Sequence, residues 1–397
     1  MTSSGQRVPR VCLLVCDSWG VGDAPDAATY GDVGSNTLGN TSREVDGVDV
    51  PNLESLGLGY LTDIRGVVPR AEPGTAHGRA TEISAGKDTT TGHWEMMGIR
   101  LERPFPLYPE GFPPDVIQAF ERAIGRRVLG NVPASGTEII RELGEEHLRT
   151  GFPIVYTSGD SVFQVATHTE VVPLEQLYDW CRLARRLLTG EHDVGRVIAR
   201  PFQGRPGAFE RRPERRDFSV PPPGPTVLDR LKEAGIPVLA VGKIQDIFDG
   251  RGITDAVYSE SNDHGLDLTV ELLRKPGPAF VFSNLVDFDS KYGHRNDPAG
   301  YAAAIRAFDR RLPEVIDALD GGVLLMTGDH GCDPTTPSTD HSRERTPLLG
   351  AGLPGGPYDI GTRATFGDLG QTVAQLLGVE VEGLVGEGFE DQIGFGT

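Results

Sequence analysis

Two rhythms of apolar and polar positions run along this chain. Nearly unbroken apolar runs occupy residues 10–16 (RVCLLVC), 236–242 (IPVLAVG), 278–286 (PAFVFSNLV) and 323–327 (VLLMT). Runs of that length predict strands buried on both faces. Between them apolar residues recur at the helical period in 226–235, 267–275 and 368–378. A longer helix is expected from Asp297-Pro298, with Ile305, Phe308, Leu312, Ile316 and Leu319 on one face and a kink at Pro313. Residues 51–61 suggest a short helix, and 76–84 an extended segment. Strands alternating with helices predict an α/β fold, a mainly parallel sheet with helices on both faces.

The rhythm changes in the middle third. Pro-rich stretches, RPFPLYPEGFPPD and SVPPPGP, bracket residues 103–223. Helices are expected over 115–125 and 174–188, and strands over 153–158, 161–168 and 195–202. This mixture predicts an inserted α+β cap domain, leaving 1–102 and 224–397 as one core.

Composition narrows the function. Among 397 residues, 38 Lys and Arg face 57 Asp and Glu, a net charge of −19. That balance argues against nucleic acid or an anionic membrane as partner, both of which require a positive field. A phosphorylated substrate stays open, because local Arg, Lys or metal ions override the mean field. Four scattered cysteines give no disulfide framework or zinc pair. No run approaches the ~18 apolar residues of a spanning helix, and VCLLVC is too short for a signal-peptide core. The expectation is a soluble, cytoplasmic protein.

Chemistry gathers where the strands end. VCLLVC runs into Asp17, FVFSNLV into Asp289 with His294 five residues on, and VLLMT into Asp329-His330, with His341 beyond a Pro-rich loop. Parallel strands in one sheet point such ends the same way, toward the edge where open α/β sheets bind ligands. Three carboxylates and three imidazoles are a complement for two divalent ions, and mixed N/O donors suit Mn²⁺, Zn²⁺ or Fe²⁺ better than Ca²⁺. Singly, an Asp after a strand is also a common turn or cap residue, and His341 a solvated loop residue. A fourth element, GKDTTTGHWE, sets three threonines after Lys87-Asp88. They serve equally as helix caps or as the source of a nucleophile, which needs activation by a base or metal. Lys87 would balance phosphate charge from the same loop.

Taken together these stretches resemble the phosphopentomutases of the alkaline phosphatase superfamily. CDSWGVGDAPDAATYGDVGSNTLGN, GKDTTTGHWEMMG, NVPASGTEII, IVYTSGDSVFQVATH, GRVIARPF, VGKIQDIFDG, NLVDFDSKYGHRNDP and GDHGCDPTTPSTDHSRERTPLL carry the likeness, in order, to residue 349. The resemblance implies an alkaline-phosphatase-like core and Thr89 as the phosphoryl-carrying nucleophile. It implies one metal site of Asp17, Asp329 and His330, completed by Thr89, and another of Asp289, His294 and His341. Mn²⁺ is the metal implied, with a sugar bisphosphate as priming activator. Asp160, Arg196 and Arg211 of the cap and Lys243 of the core would contact the sugar phosphate; Arg211 shares its loop with Arg212, Arg215 and Arg216. The reaction implied is interconversion of ribose 1-phosphate and ribose 5-phosphate, and of their 2-deoxy forms. Departures from the family pattern are Gly159, Gly328, Cys332 and Trp19, the last close enough to Asp17 to suggest an altered substrate preference. A metal-dependent phosphatase, another phosphosugar mutase of the same superfamily and a non-enzymatic metal-binding protein are the alternatives. The oligomeric state is left open, a monomer being compatible.

Overall fold

A computed structural model describes residues 8–396. The chain forms two compact units, one from the segments up to Pro104 and from Pro222 onward, the other from Phe105–Pro221. The first unit begins with β1 (Arg10–Cys16) and β2 (Thr75–Ala80). The second holds β3 (Leu129–Pro133), β4 (Ile154–Thr157), β5 (Val162–His168), β6 (Arg196–Arg205), β7 (Ala208–Arg211) and β8 (Arg216–Ser219). The first unit then resumes with β9 (Val238–Val241), β10 (Asp255–Val257), β11 (Ala279–Leu285), β12 (Val323–Thr327), β13 (Thr346–Ala351) and β14 (Tyr358–Arg363).

The first unit is an eight-stranded α/β sheet in the order β10-β9-β11-β1-β12-β13-β2-β14. Its first five strands are parallel. β13 runs antiparallel to both β12 and β2, and β14 is parallel to β2. Every residue of β1, β11 and β12 is buried, as strands covered by helices on both faces must be. The antiparallel turn at β13 was not visible in the apolar pattern, because TPLLGA is short and holds a proline and a glycine.

The long helix spans Pro298–Asp317 and buries Ile305, Phe308 and Leu312, with Val315 in place of Ile316. Pro313 lies inside it without ending it. A proline there has no N–H for the carbonyl of residue 309. That carbonyl instead accepts the Asn52 side-chain amide at 2.9 Å, so the missing helix bond is replaced from outside. Trp19 is core as well. Its ring is 1 % exposed and meets Phe288 and Phe308 edge-on at 5.3 and 5.5 Å, which corrects the expectation that it shapes substrate preference. The Trp19 carbonyl would lie 2.2 Å from a Cβ at Gly328, so only glycine lets the two strand-end turns meet this closely.

In the second unit the sheet order is β3-β4-β5-β6-β7, with β8 also on β6. Three helices accompany it, Pro114–Ile124, Gly136–Thr150 and Leu174–Leu187. The middle one escaped the pattern, since glycines at 136 and 144 dilute its helical signal. Gly144 has a packing reason, as a Cβ there would lie 2.5 Å from the Phe209 ring.

Candidate active site

Strand register explains how residues far apart in sequence meet. β1 lies between β11 and β12, with Cys16 opposite Leu285 and Val15 opposite Thr327. Asp17, Asp289 and Asp329 follow these neighbouring parallel ends. Ser18 takes a positive φ of 69° and donates its N–H to Asp329 Oδ1 at 3.0 Å, tying the first strand end to the third. The Asn284 amide donates to Asp17 Oδ2 at 3.1 Å.

His341 returns to this edge through a closed excursion. Gly331 and Ser342 exchange backbone hydrogen bonds of 3.0 and 2.8 Å, pinching off the Pro-rich loop between them. Asp333 fastens that loop by accepting from Asn36 N–H at 3.0 Å and the Asn40 amide at 2.6 Å. The His341 ring thereby lies against His330, with centroids 3.9 Å apart and planes tilted by 31°.

The six residues Asp17, Asp289, His294, Asp329, His330 and His341 form one connected cluster. His330 Nε2 lies 3.5 Å from both Asp17 Oδ1 and Asp329 Oδ2. His294 Nε2 stands 3.2 Å from Asp289 Oδ2 and 3.1 Å from His341 Nε2, which is 3.6 Å from Asp289 Oδ1. The tautomers follow from the opposite ring edges. His294 Nδ1 and His330 Nδ1 face the carbonyls of Thr339 at 2.6 Å and Gly331 at 3.0 Å. Carbonyls only accept, so each Nδ1 carries a proton, which leaves Nε2 as the ring atom that faces the cluster.

Electrostatics supply the test of whether cations fit. Asp17 Oδ1, Asp289 Oδ1 and Asp329 Oδ2 are buried and accept no hydrogen bond among the described residues. Orphaned buried carboxylate oxygens are costly and call for an ion. Burial lifts the Asp17 carboxyl well above its ordinary range, and the charges of Asp329 and Asp289 push it further. Burial also works to raise Asp329, yet His330, His93 and the Ser18 N–H hold it below the usual value. Burial would lower His330, but Asp329, Asp17 and Asp289 prevail and raise it. Donor atoms of Asp17, Asp329 and His330 lie within 4.8 Å of one another, as do those of Asp289, His330 and His341, and of Asp289, His294 and Cys332. The donor set is that of a divalent-metal centre.

Thr89 opens the helix Thr89–Met96, capped by Asp88, whose side chain accepts from Thr91 N–H at 3.1 Å. Its Oγ1 lies 3.2 Å from His330 Nε2, against the cluster and at the positive end of the helix. Gly92, one turn on, would place a Cβ 2.1 Å from the Asp329 carbonyl, so the helix backbone rests directly on the ligand-bearing turn. His93 was not anticipated. Wholly buried, it donates from Nδ1 to the Thr89 carbonyl at 2.9 Å and lies 3.3 Å from Asp329 Oδ2. Its position four residues after Thr89, hence on the same helix face, was the available signal. Lys87 is held between Asp32 at 3.1 Å and Asp340 at 3.3 Å. Lys243 follows β9, near enough for its charge to act on Asp17. The remaining candidates lie in the second unit. Arg196 pairs with Asp160 at 3.3 Å and Asp217 at 3.6 Å, and Arg211 ends β7 beside a cavity lined by Thr137, Ile140 and Phe209.

Removing divalent ions should destabilise the chain by returning the carboxylates to mutual repulsion. A ligand held at 100 times its Kd contributes about 2.7 kcal/mol. Exhaustive chelation should therefore lower the thermal midpoint by several degrees, with Mn²⁺ restoring it. An identical midpoint in chelated and reloaded protein would show that these residues hold no ion.

Comparison with known proteins agrees with this geometry. Residues 9–381 match the model of the metalloenzyme superfamily. A phosphopentomutase of Anaeromyxobacter dehalogenans (strain 2CP-C) is 60% identical over 375 residues, covering 94% of this chain and 96% of that one. A phosphopentomutase of Acetivibrio thermocellus is 56% identical over 382 residues, covering 96% and 98%. Among solved structures, a phosphoglycerate mutase of Leishmania mexicana shares the fold at 13% identity, with a TM-score of 0.50 over 97% of this chain and 98% of that one. With identity at this level along nearly its whole length, the chain belongs to the phosphopentomutase family of the alkaline phosphatase superfamily.

Proposed function

We propose that the protein is a metal-dependent phosphopentomutase that interconverts the 1- and 5-phosphates of ribose and 2-deoxyribose. The observation that carries this reading is Thr89 Oγ1 beside His330 at a helix N-terminus, within a cluster of orphaned carboxylates. Phosphorylated Thr89 donates its phosphoryl group to the free hydroxyl of the pentose phosphate. The Oγ1–P bond breaks, a new O–P bond forms on the sugar, and the hydroxyl proton ends on Thr89. The resulting bisphosphate returns its other phosphate to Thr89, which completes the exchange. Two divalent cations, Mn²⁺ on this reading, supply charge neutralisation at the phosphoryl oxygens and acidify the threonine hydroxyl. Asp17, Asp329 and His330 would hold one, and Asp289, His294 and His341 the other. The helix N-terminus adds favourable dipole to the incoming phosphate, and His93 orients the Thr89 backbone.

Residues 103–223 act as the cap of this reading, contributing Asp160, Arg196 and Arg211, with Lys243 from the core, to sugar-phosphate recognition by charge-assisted bonds. A sugar bisphosphate primes the threonine. No helix of the described residues is long and apolar enough to cross a membrane. The test is to supply ribose 1-phosphate, Mn²⁺ and a sugar bisphosphate, and to follow ribose 5-phosphate and free phosphate together. Isomer formation should far exceed phosphate release. Release dominating at saturation would overturn the mutase in favour of a phosphatase.

A further inference from the structure

We propose that Arg343 is a positioning residue for phosphoryl transfer: with Asp32 it fixes the chain that leads into Thr89. The inference rests on the phosphothreonine reading above and adds two residues which that reading does not use. Residues 81–88 join β2 to the helix Thr89–Met96 with no helix or strand of their own, so bonds from elsewhere must set their path. Ile83 and Ser84 donate their N–H groups to the Glu95 carboxylate, and Ala85 donates to the Leu101 carbonyl. Gly86 and Lys87, the next residues toward Thr89, are held from residues 340–343 instead. Arg343 Nη1 donates to the Gly86 carbonyl at 2.6 Å. The Arg343 backbone N–H donates at 2.8 Å to Asp32 Oδ2, which pairs with Lys87 at 3.1 Å. Asp340 takes Lys87 from the other side at 3.3 Å.

The guanidinium is built into the interior. Arg343 is 1 % exposed, and Nη1 also donates to Glu82 Oε2 at 2.5 Å, Nη2 to the Glu82 carbonyl at 2.8 Å and Nε to Asp26 Oδ1 at 3.1 Å. A buried charge is costly unless paired and hydrogen-bonded, and here all three nitrogens of the fork have acceptors. Only the rigid fork of an arginine serves two carbonyls and two carboxylates together; the point charge of a lysine does not. Gly86 in turn packs on the first turn of the helix, since a Cβ there would lie 2.4 Å from Thr91 Oγ1. Fixing the Gly86 peptide therefore fixes the end of the helix that carries Thr89. Arg343 follows His341 by two residues, so one short stretch carries both a ligand of the cluster and the anchor of the nucleophile's loop.

The test compares Arg343→Lys with Arg10→Lys in the full-length protein supplied with Mn²⁺. Arg10 is a matched control, 7 % exposed and donating to the Gly277 carbonyl at 2.6 Å, at the opposite end of β1 from Asp17. Both variants should lose thermal stability. Arg343→Lys alone should lower kcat about 10²-fold, the scale for a group displaced by about 1 Å, with KM for ribose 1-phosphate changed less than about twofold. Phosphorylation of Thr89 by a sugar bisphosphate, followed by intact mass, should slow by the same factor, while Mn²⁺ uptake and circular dichroism match the wild type. Asp32→Asn, which removes the Lys87 ion pair without touching the guanidinium, should show the same split to a smaller degree. Wild-type phosphorylation kinetics in folded Arg343→Lys, or an equal fall in Arg10→Lys, would overturn the positioning role. Should Arg343→Lys misfold, wild-type kinetics in Asp32→Asn would overturn it. A wild-type protein that takes no phosphate on Thr89 would overturn the phosphothreonine reading and this role with it.

Discussion

Thr89→Ala is expected to abolish phosphoenzyme formation and lower kcat by about 10⁴-fold or more, the usual scale for deleting a covalent nucleophile. The geometry singles this residue out from its neighbours. Thr91 is buried, and its hydroxyl donates to Asp88 at 2.5 Å, within the cap that starts the helix. The Thr89 hydroxyl instead touches the metal-ligand cluster, through His330. Thr91→Ala should therefore weaken the helix start by about 1 kcal/mol, as a lost side-chain hydrogen bond does, with the Asp88 cap on its backbone N–H kept, and should still accept phosphate. Intact-mass measurement after incubation with a sugar bisphosphate separates the cases. Wild type and Thr91→Ala should gain one phosphate, and Thr89→Ala none. Thr89 is half-buried, so the alanine variant should keep its fold, with cation uptake weakened at the site that Thr89 would complete. Equal phosphorylation of Thr89→Ala and wild type would remove Thr89 from the mechanism.

Why were some parts of this machinery legible in the sequence and others hidden? Asp17, Asp289 and Asp329 each follow an apolar run, and those runs are the adjacent parallel strands β1, β11 and β12. Strand polarity alone then brings them to one edge. His341 was harder, since its place depends on the Gly331–Ser342 bridge and on Asp333, which no periodicity encodes. Contacts made by the absence of a side chain were invisible. Gly92, Gly293 and Gly328 look like ordinary loop or helix glycines until their neighbours are known. What the proline does inside the long helix was hidden for a related reason. Its cost depends on whether the freed carbonyl finds a donor, and Asn52 lies 257 residues away in sequence. Trp19 beside Asp17 suggested a substrate contact, but the strand-end turn sends its ring backward into Phe288 and Phe308.

Gly92→Ala is expected to be severely damaging although it replaces neither a ligand nor the nucleophile. The new Cβ would fall 2.1 Å from the Asp329 carbonyl and 3.2 Å from its Cα. Both are backbone atoms of a buried turn, so neither can rotate aside. Asp329 itself is held by Ser18 N–H, and its strand lies in the middle of the sheet. The strain must then move the helix Thr89–Met96, which has Thr89 at its start. Overpacking of this kind costs about 1–3 kcal/mol of stability. The larger effect falls on rate, because a displacement of about 1 Å from productive geometry costs on the order of 10²-fold. The helix backbone links Gly92 to the nucleophile within one turn, and His93 couples Thr89 to the Asp329 side through its ring. Hence kcat should drop about 10²-fold, with phosphorylation of Thr89 slowed in parallel and the two cations still bound. A general loss of folding would instead lower cation uptake and activity together. Wild-type phosphorylation kinetics in a folded Gly92→Ala variant would show that the helix does not set the position of Thr89.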